Sequence, residues 1–369
     1  MNRHFLSLVL VFLLIACTST QNAQPIKIGV LGDLTGDYVS FMRGVPRGAE
    51  LAVEDAKNLV NRPIQLVIED QRSCQLKETV TIMNKLTSID HVDFVLGGSC
   101  SSSTLAAAPI AESTHTPIIS PVSSAPSVSK SGDYIFRTYI SDGSRALAAS
   151  ELTYKLGKRK MATLVDISND AFIEIVKGAK FRFQELGGVV VAEEESDNVA
   201  GDFRTQLTKI KVADPDVLFL TTGPQQIGHV AKEAKELGLH VQFIVPLETA
   251  EDQQVIDMAG SAVEGLLYVM PGNPPDSPKY QELQRRYKER YKEEAMPSYV
   301  TEAYDAVMLG ILALKESDGS RESIKDKLYE VSKTYEGVSG NVAFDANGDV
   351  SKPVMYKQIK NGKFVVYTP

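Results

Sequence analysis

Hydroxyl groups clustered after two predicted strands are the strongest chemical feature of this sequence. Residues 97–104 read GGSCSSST and residues 120–126 read SPVSSAP, each after a short apolar run. Glycine lets a backbone approach a ligand closely, and serines at a helix start add hydroxyls to the free N–H groups there. The pattern predicts a carboxylate site that uses neither Lys nor Arg. A plain N-cap is the alternative for the first loop, although a cap needs only one hydroxyl. An ordinary Ser/Pro-rich loop is the alternative for the second.

The sequence contains little that indicates a catalytic or metal-binding site. The histidines beyond the N-terminal segment show no ligand spacing with each other or with cysteine; they are His91, His115, His229 and His240. Residues 29–32 lack the three-glycine dinucleotide spacing, and residues 345–349 (DANGD) predict a tight turn because no Glu closes a calcium loop. We therefore expect no cofactor, no metal and no enzymatic activity. An extracytoplasmic enzyme is the alternative, which turnover by purified protein would support.

The first 24 residues predict export and a lipid anchor. Residues 5–15 form an apolar run interrupted only by Ser7, which is too short to span a bilayer but typical of a signal peptide. Residues 14–17 read LIAC, the pattern that a lipoprotein signal peptidase cuts after lipid is attached to the cysteine. We predict a signal peptide over residues 1–16, lipidation of Cys17 and a tether over residues 17–24. The mature protein would be periplasmic or held at the outer face of the cell membrane. An ordinary signal peptide that contains a cysteine is the alternative.

The composition of the mature chain limits which classes of partner are expected. Loss of Arg3 leaves 38 of 39 basic residues against 47 acidic ones, a net charge of −9 without a basic run, so nucleic acid is not an expected partner. About 350 residues favour two lobes over one. Cys74 and Cys100 remain as an even pair in an oxidising compartment, where a disulfide is expected, with two free thiols as the alternative.

The order of predicted elements indicates the fold class. Strands are predicted over residues 26–31, 64–68, 94–96, 117–120, 161–166, 189–192, 217–221, 243–245 and 266–269, and helices over residues 46–60, 76–88, 105–113, 171–186, 225–237, 280–291, 301–314 and 321–331. Alternation of strand and helix predicts doubly wound parallel sheets, one in each lobe. Crossings near Ser141, Pro271 and Ser332 would form a three-strand hinge. The N-terminal lobe would hold residues 25–141 plus 271–332, and the C-terminal lobe residues 142–270 plus 333–369. The cleft would lie outside the carboxyl ends of the strands.

The two serine-rich loops resemble those of the leucine/isoleucine/valine-binding proteins, the type I periplasmic binding proteins of ABC importers. Residues 28–36, 48–55, 299–307 and 335–348 are also similar, so the resemblance runs from about residue 26 to the C-terminus. It implies a Venus-flytrap fold of two α/β lobes with a three-strand hinge. It also implies that Cys74 and Cys100 pair.

The resemblance implies a role for particular residues of the first lobe. Ser101 would hold a ligand carboxylate, with Ser102 beside it in the same cluster. Ser123 and Ser124 would contribute from the next loop, and Phe41 would cover the ligand.

The second lobe departs from the family pattern. Ala171 stands where the family often has an aromatic residue, and none stands near Gly223, which we still expect in the site. The acid that binds the ligand ammonium falls near Leu247, with Glu248 one place further on. Either Glu248 serves or the amino-group pocket is lost, with Asp170 as a substitute acid. The alternative is that Glu248 and Asp170 are exposed loop carboxylates outside the site.

These observations predict a monomeric, lipid-anchored solute-binding component of an ABC importer. The ligand would be an amino acid, the branched-chain type first, or a related small carboxylate such as an aromatic acid. Its partners would be that ligand, an ABC permease and, through the lipid, a membrane. A lipoprotein of the same fold that senses a ligand or regulates cell-wall enzymes without transport is the alternative.

Overall fold

The computed structural model describes residues 24–36, 39–197, 201–272, 277–293 and 296–369, except the side chains of Ser40, Phe41 and Asp170. The predicted signal peptide and Cys17 lie outside the described residues. Within these ranges, the helices all fall short of the length and apolar character that a membrane crossing requires.

A five-stranded parallel sheet forms the centre of the first lobe, in the spatial order β2-β1-β3-β4-β5. Almost every residue of β1 is buried, as expected for a strand covered on both faces. One face packs against α2 and α11, and the other against α3 and α4. The elements of this lobe are β1 (Ile26–Gly32), α1 (Val39–Met42), α2 (Gly44–Ala56), β2 (Ile64–Asp70), α3 (Leu76–Ser88), β3 (Phe94–Leu96), α4 (Ser101–Thr114), β4 (Ile118–Ser120), a 3₁₀ helix (Pro126–Lys130) and β5 (Ile135–Arg137), followed much later by α10, α11 and α12.

A seven-stranded sheet forms the second lobe, in the order β14-β13-β10-β9-β8-β6-β7. Its last two strands form an antiparallel hairpin at the edge, and the other strands run parallel. Two lobes with parallel sheets confirm the predicted α/β class. The elements are α5 (Asp142–Lys155), β6 (Lys160–Asp166), α6 (Asp170–Glu185), β7 (Val189–Ser196), α7 (Arg204–Val212), β8 (Val217–Thr221), α8 (Pro224–Glu236), β9 (Gln242–Val245), 3₁₀ helices (Glu248–Ala250 and Gly260–Val263), α9 (Gln253–Ala259) and β10 (Leu267–Pro271).

The remainder of the chain returns to the first lobe before it completes the second. Its elements are α10 (Pro278–Tyr291), α11 (Val300–Glu316), α12 (Arg321–Val331), β11 (Glu336–Gly337), β12 (Gly340–Asn341), β13 (Val354–Lys360) and β14 (Lys363–Tyr367). Val338, Val342 and Phe344 pack in the first-lobe core. The chain therefore enters the second sheet at Val354, later than the third crossing that the sequence predicted near Ser332.

The buried carboxylate of Asp305 explains why this segment stays in the first lobe. It accepts hydrogen bonds from the backbone N–H groups of Val338 (2.9 Å) and Ser339 (2.8 Å) and from the hydroxyl of Tyr335 (2.9 Å). A side chain on α11 thus satisfies backbone groups that a regular strand would pair with a neighbouring strand. The hydrophobic pattern of the segment gives no indication of this arrangement.

A disulfide joins Cys74 and Cys100, whose Cα atoms lie 6.2 Å apart. It connects the residues after β2 to the residue that precedes α4. Closing a loop of this length stabilises a fold by about 3.5 kcal/mol in the chain-entropy model.

Candidate functional site

A cavity of about 740 Å³ lies between the lobes, at the carboxyl ends of the parallel strands. Both lobes contribute to its wall. The residues that line it include Cys100, Ser101, Ser102, Leu105, Ser124, Ser127, Asp142, Arg145, Asp166, Ser168, Ala171, Phe172, Glu174, Gly223, Leu247 and Glu248. Ser101, Ser102, Ser124, Gly223 and Glu248 were predicted for the site, and the structure brings these five together around one cavity.

The hydroxyl of Ser101 is positioned to donate a hydrogen bond into the cavity. Its oxygen accepts the backbone N–H groups of Ser124 (3.2 Å) and Ala125 (3.1 Å). Because both lone pairs are engaged, the hydroxyl proton is left to donate.

The first turn of α4 supplies further donors beside Ser101. Cys100 is the N-cap residue and makes no side-chain cap hydrogen bond, since its sulfur is engaged in the disulfide. The N–H groups of this first turn therefore lack the side-chain cap that a helix start usually has. Ser102 is exposed next to them and also lines the cavity. A helix start of this kind favours an anion.

Ser123 lies behind the cavity wall rather than in it. It is fully buried, 2.7 Å from the hydroxyl of Thr104, and accepts a hydrogen bond from the hydroxyl of Ser120 (2.9 Å). Ser124 faces the cavity instead and donates to the Asp142 carboxylate (2.9 Å). The two neighbouring serines therefore have different positions. Ser123 links the two serine-rich loops by hydrogen bonds, and Ser124 lines the cavity.

Arg137, which is fully buried, holds the second serine-rich loop (residues 120–126) in place. Its guanidinium makes two hydrogen bonds of 2.7 Å to the carboxylate of Asp349. It also donates to the carbonyl of Ala125 (2.8 Å) and the hydroxyl of Ser129 (2.6 Å). Asp349 belongs to the tight turn predicted at residues 345–349, so this turn anchors the loop that carries Ser124.

A buried guanidinium, that of Arg145 on α5, stands between two carboxylates of the cavity wall. It forms ion pairs with Asp142 and Glu248. Burial opposes its charge, but the carboxylate of Asp142 raises the pKa of Arg145 above the ordinary value, so the residue stays ionised. Tyr139 donates a long hydrogen bond (3.4 Å) to Glu248. Glu248 thus reaches the cavity as predicted, but Arg145 neutralises its charge.

Two other carboxylates of the second lobe line the cavity. Asp166, at the end of β6, is 2% exposed and accepts two hydrogen bonds from Ser168. Glu174 accepts the backbone N–H of Ser127 (3.1 Å), a hydrogen bond that joins the two lobes. The lobes are therefore in contact across the cavity.

Phe41 and Asp170 were also predicted for the site. Their backbones form part of α1 and α6, but their side chains are not among the described residues. Ala171 and Phe172 supply apolar wall where the sequence offered no family aromatic. Sequence reasoning missed Arg145 and Asp166. For Asp166 an indication existed, because it ends a predicted strand whose carboxyl end faces the cleft. No group of His, Cys, Asp and Glu in the described ranges is arranged to hold a metal ion.

Two α/β lobes with a cavity between them, lined by polar and apolar residues of both lobes, are the architecture of the two-lobed solute-binding proteins. A family model described as periplasmic binding protein matches residues 25–363, and the chain belongs to this family. Within it, the chain is a type I periplasmic binding protein of the leucine/isoleucine/valine-binding group.

Individual relatives agree with this assignment. A leucine-, isoleucine-, valine-, threonine- and alanine-binding protein of Pseudomonas aeruginosa is 28% identical over 352 residues, 94% of this chain and 90% of the relative. A leucine-binding protein of Thermotoga maritima has 27% identity and a TM-score of 0.76, covering 93% of this chain and 98% of the other. A branched-chain amino acid transporter substrate-binding protein of Streptococcus pneumoniae, solved in complex with isoleucine, has 25% identity and a TM-score of 0.72. The match covers 94% of this chain and 100% of the other. These relatives are binding proteins, not enzymes.

Proposed function

We propose that this protein is the lipid-anchored solute-binding component of an ABC importer. Its ligand would be an amino acid of the branched-chain type or a related small carboxylate, bound between the lobes. The observation that carries the proposal is the free donor of Ser101 at the start of α4, inside the interlobe cavity.

The two ends of the cavity suit a molecule with a carboxylate and an apolar body. Ser101, Ser102 and the first turn of α4 offer hydrogen-bond donors to the carboxylate. Leu105, Phe172 and Leu247 offer apolar contacts from both lobes. A ligand held by both lobes favours the conformation in which they are closed, and that conformation would dock on the permease.

A ligand screen tests this function directly. Leucine, isoleucine or valine is expected to raise the melting temperature of the purified mature protein, because a ligand that binds only the folded state stabilises it. Differential scanning calorimetry against the common amino acids and small aromatic and aliphatic carboxylates would identify the ligand. Absence of stabilisation by every amino acid and carboxylate would contradict the proposal.

Ser101→Ala is expected to weaken ligand binding by about 1–3 kcal/mol, since it leaves a charged acceptor without its donor. That loss corresponds to a roughly 5- to 150-fold higher dissociation constant in isothermal titration calorimetry. Ser113→Ala, at the exposed far end of the same helix, is the matched control and should leave the affinity unchanged. Equal affinity of wild type and Ser101→Ala would remove Ser101 from the site.

A sensor or regulator of cell-wall enzymes with the same fold is the competing function. A permease and an ATPase encoded beside this gene would argue against it. Loss of ligand uptake on deletion of this gene would do so more strongly.

A further inference from the structure

Asp166 is the buried carboxylate of the cavity wall that no cation neutralises within the described part of the chain. It is 2% exposed. One oxygen, Oδ1, accepts both the backbone N–H (2.9 Å) and the hydroxyl (2.6 Å) of Ser168. The other oxygen, Oδ2, receives no hydrogen bond from the described residues, and no Lys or Arg among them pairs with it.

Among the described residues, the other acids that line the cavity each have a partner. Asp142 and Glu248 share the guanidinium of Arg145. Glu174 is only half-buried, and one of its oxygens accepts the N–H of Ser127 from the opposite lobe. Asp166 therefore differs from these three acids because it is buried without a cation and still keeps an oxygen available to a ligand.

A carboxylate removed from water without a cation beside it is energetically costly, so a fold that retains one in a binding cavity offers it to a positive group. The first lobe presents hydroxyl and N–H donors suited to a carboxylate, and Asp166 lines the same cavity from the second lobe. A molecule with a carboxylate at one end and an ammonium at the other matches both walls.

We infer that Asp166 binds the ammonium group of an amino acid ligand, while Glu248 remains paired with Arg145. This inference rests on the proposed function and specifies it, because it makes the ligand a zwitterion rather than a simple carboxylate. It also makes Asp166 the residue that discriminates against carboxylates without an amino group.

Leucine and 4-methylpentanoate, which is leucine without its amino group, are the probes that test the inference. By isothermal titration calorimetry, the wild type is expected to bind leucine at least about 30-fold more tightly than 4-methylpentanoate. Asp166→Asn is expected to lose about 30- to 100-fold in leucine affinity and to bind 4-methylpentanoate as well as or better than the wild type. Binding of 4-methylpentanoate would also show that the variant is folded.

Two further variants separate charge from position. Asp166→Glu keeps the carboxylate and should retain the preference for leucine. Glu195→Gln removes an exposed carboxylate from the neighbouring strand β7 and should leave both affinities unchanged.

Two outcomes overturn the inference alone: equal binding of the two probes by the wild type, or an unchanged leucine preference in Asp166→Asn. Loss of that preference in Glu248→Gln but not in Asp166→Asn would assign the ammonium to Glu248. If the wild type binds leucine and its analogues at no concentration, the branched-chain function fails and the inference fails with it.

Discussion

Replacing Arg137 with methionine is expected to lower the free energy of unfolding by about 3–5 kcal/mol, because it leaves the Asp349 carboxylate without its buried partner. The carbonyl of Ala125 and the hydroxyl of Ser129 lose their donor as well. Methionine fills much of the same volume, so the loss reflects charge and hydrogen bonding more than a cavity. Urea denaturation followed by far-ultraviolet circular dichroism is the suitable measurement, since the chain has no Trp.

Lys130→Met is the matched control for Arg137→Met. Lys130 is an exposed basic residue at the end of the 3₁₀ helix in the same loop, and its replacement should change stability by less than about 0.5 kcal/mol. A loss below about 1 kcal/mol in Arg137→Met would mean that the loop holds its position without the ion pair.

Arg145→Met is expected to destabilise the protein by a similar amount, about 3–5 kcal/mol near neutral pH, because Asp142 and Glu248 would face each other without the guanidinium. Asp142 dominates this cost, since it is the more deeply buried of the two. Lys155→Met, at the exposed end of the same helix, is the control.

The loss caused by Arg145→Met should depend on pH in a defined direction. Without the guanidinium, the negative charges of the two carboxylates repel each other in the folded state, and uptake of a proton relieves that repulsion. The folded state then binds protons more tightly, so lowering the pH stabilises it relative to the unfolded state. The difference between wild type and variant should therefore shrink between pH 8 and pH 5 in parallel urea titrations. A difference that stays constant over this range would show that lost packing, not charge, causes the destabilisation.

Much of the fold follows from local patterns in the sequence. The helix predicted over residues 76–88 matches α3 at both ends, because its apolar positions recur at helical spacing between polar boundaries. The strand predicted over residues 161–166 ends at Asp166, as β6 does. Helix α4 begins at Ser101, earlier than the predicted residue 105, so the serines thought to precede the helix form its first turn.

The cavity wall was less predictable, because contacts between distant segments decide it. Helix α5 escaped prediction because its buried face consists largely of small or polar residues, such as Ala146, Ala149 and Ser150, rather than an apolar stripe. Arg145 was missed with it, and so was its pairing with Glu248, which lies 103 positions away along the chain. Ser123 and Ser124 are equivalent in sequence context, and only the fold shows that one is buried and the other lines the cavity.

The path of the chain between the lobes has a consequence for the order of synthesis. The first sheet is complete at Arg137, yet α11, which covers one of its faces and brings Gly310 against the ring of Phe94, begins only at Val300. Val350, in the same core, is made later still. While a ribosome makes the second lobe, the first therefore has an uncovered apolar face and cannot reach its final structure. The first lobe of such a chain is complete only after nearly all of the chain has been translated, and until then its uncovered face is open to an export machinery.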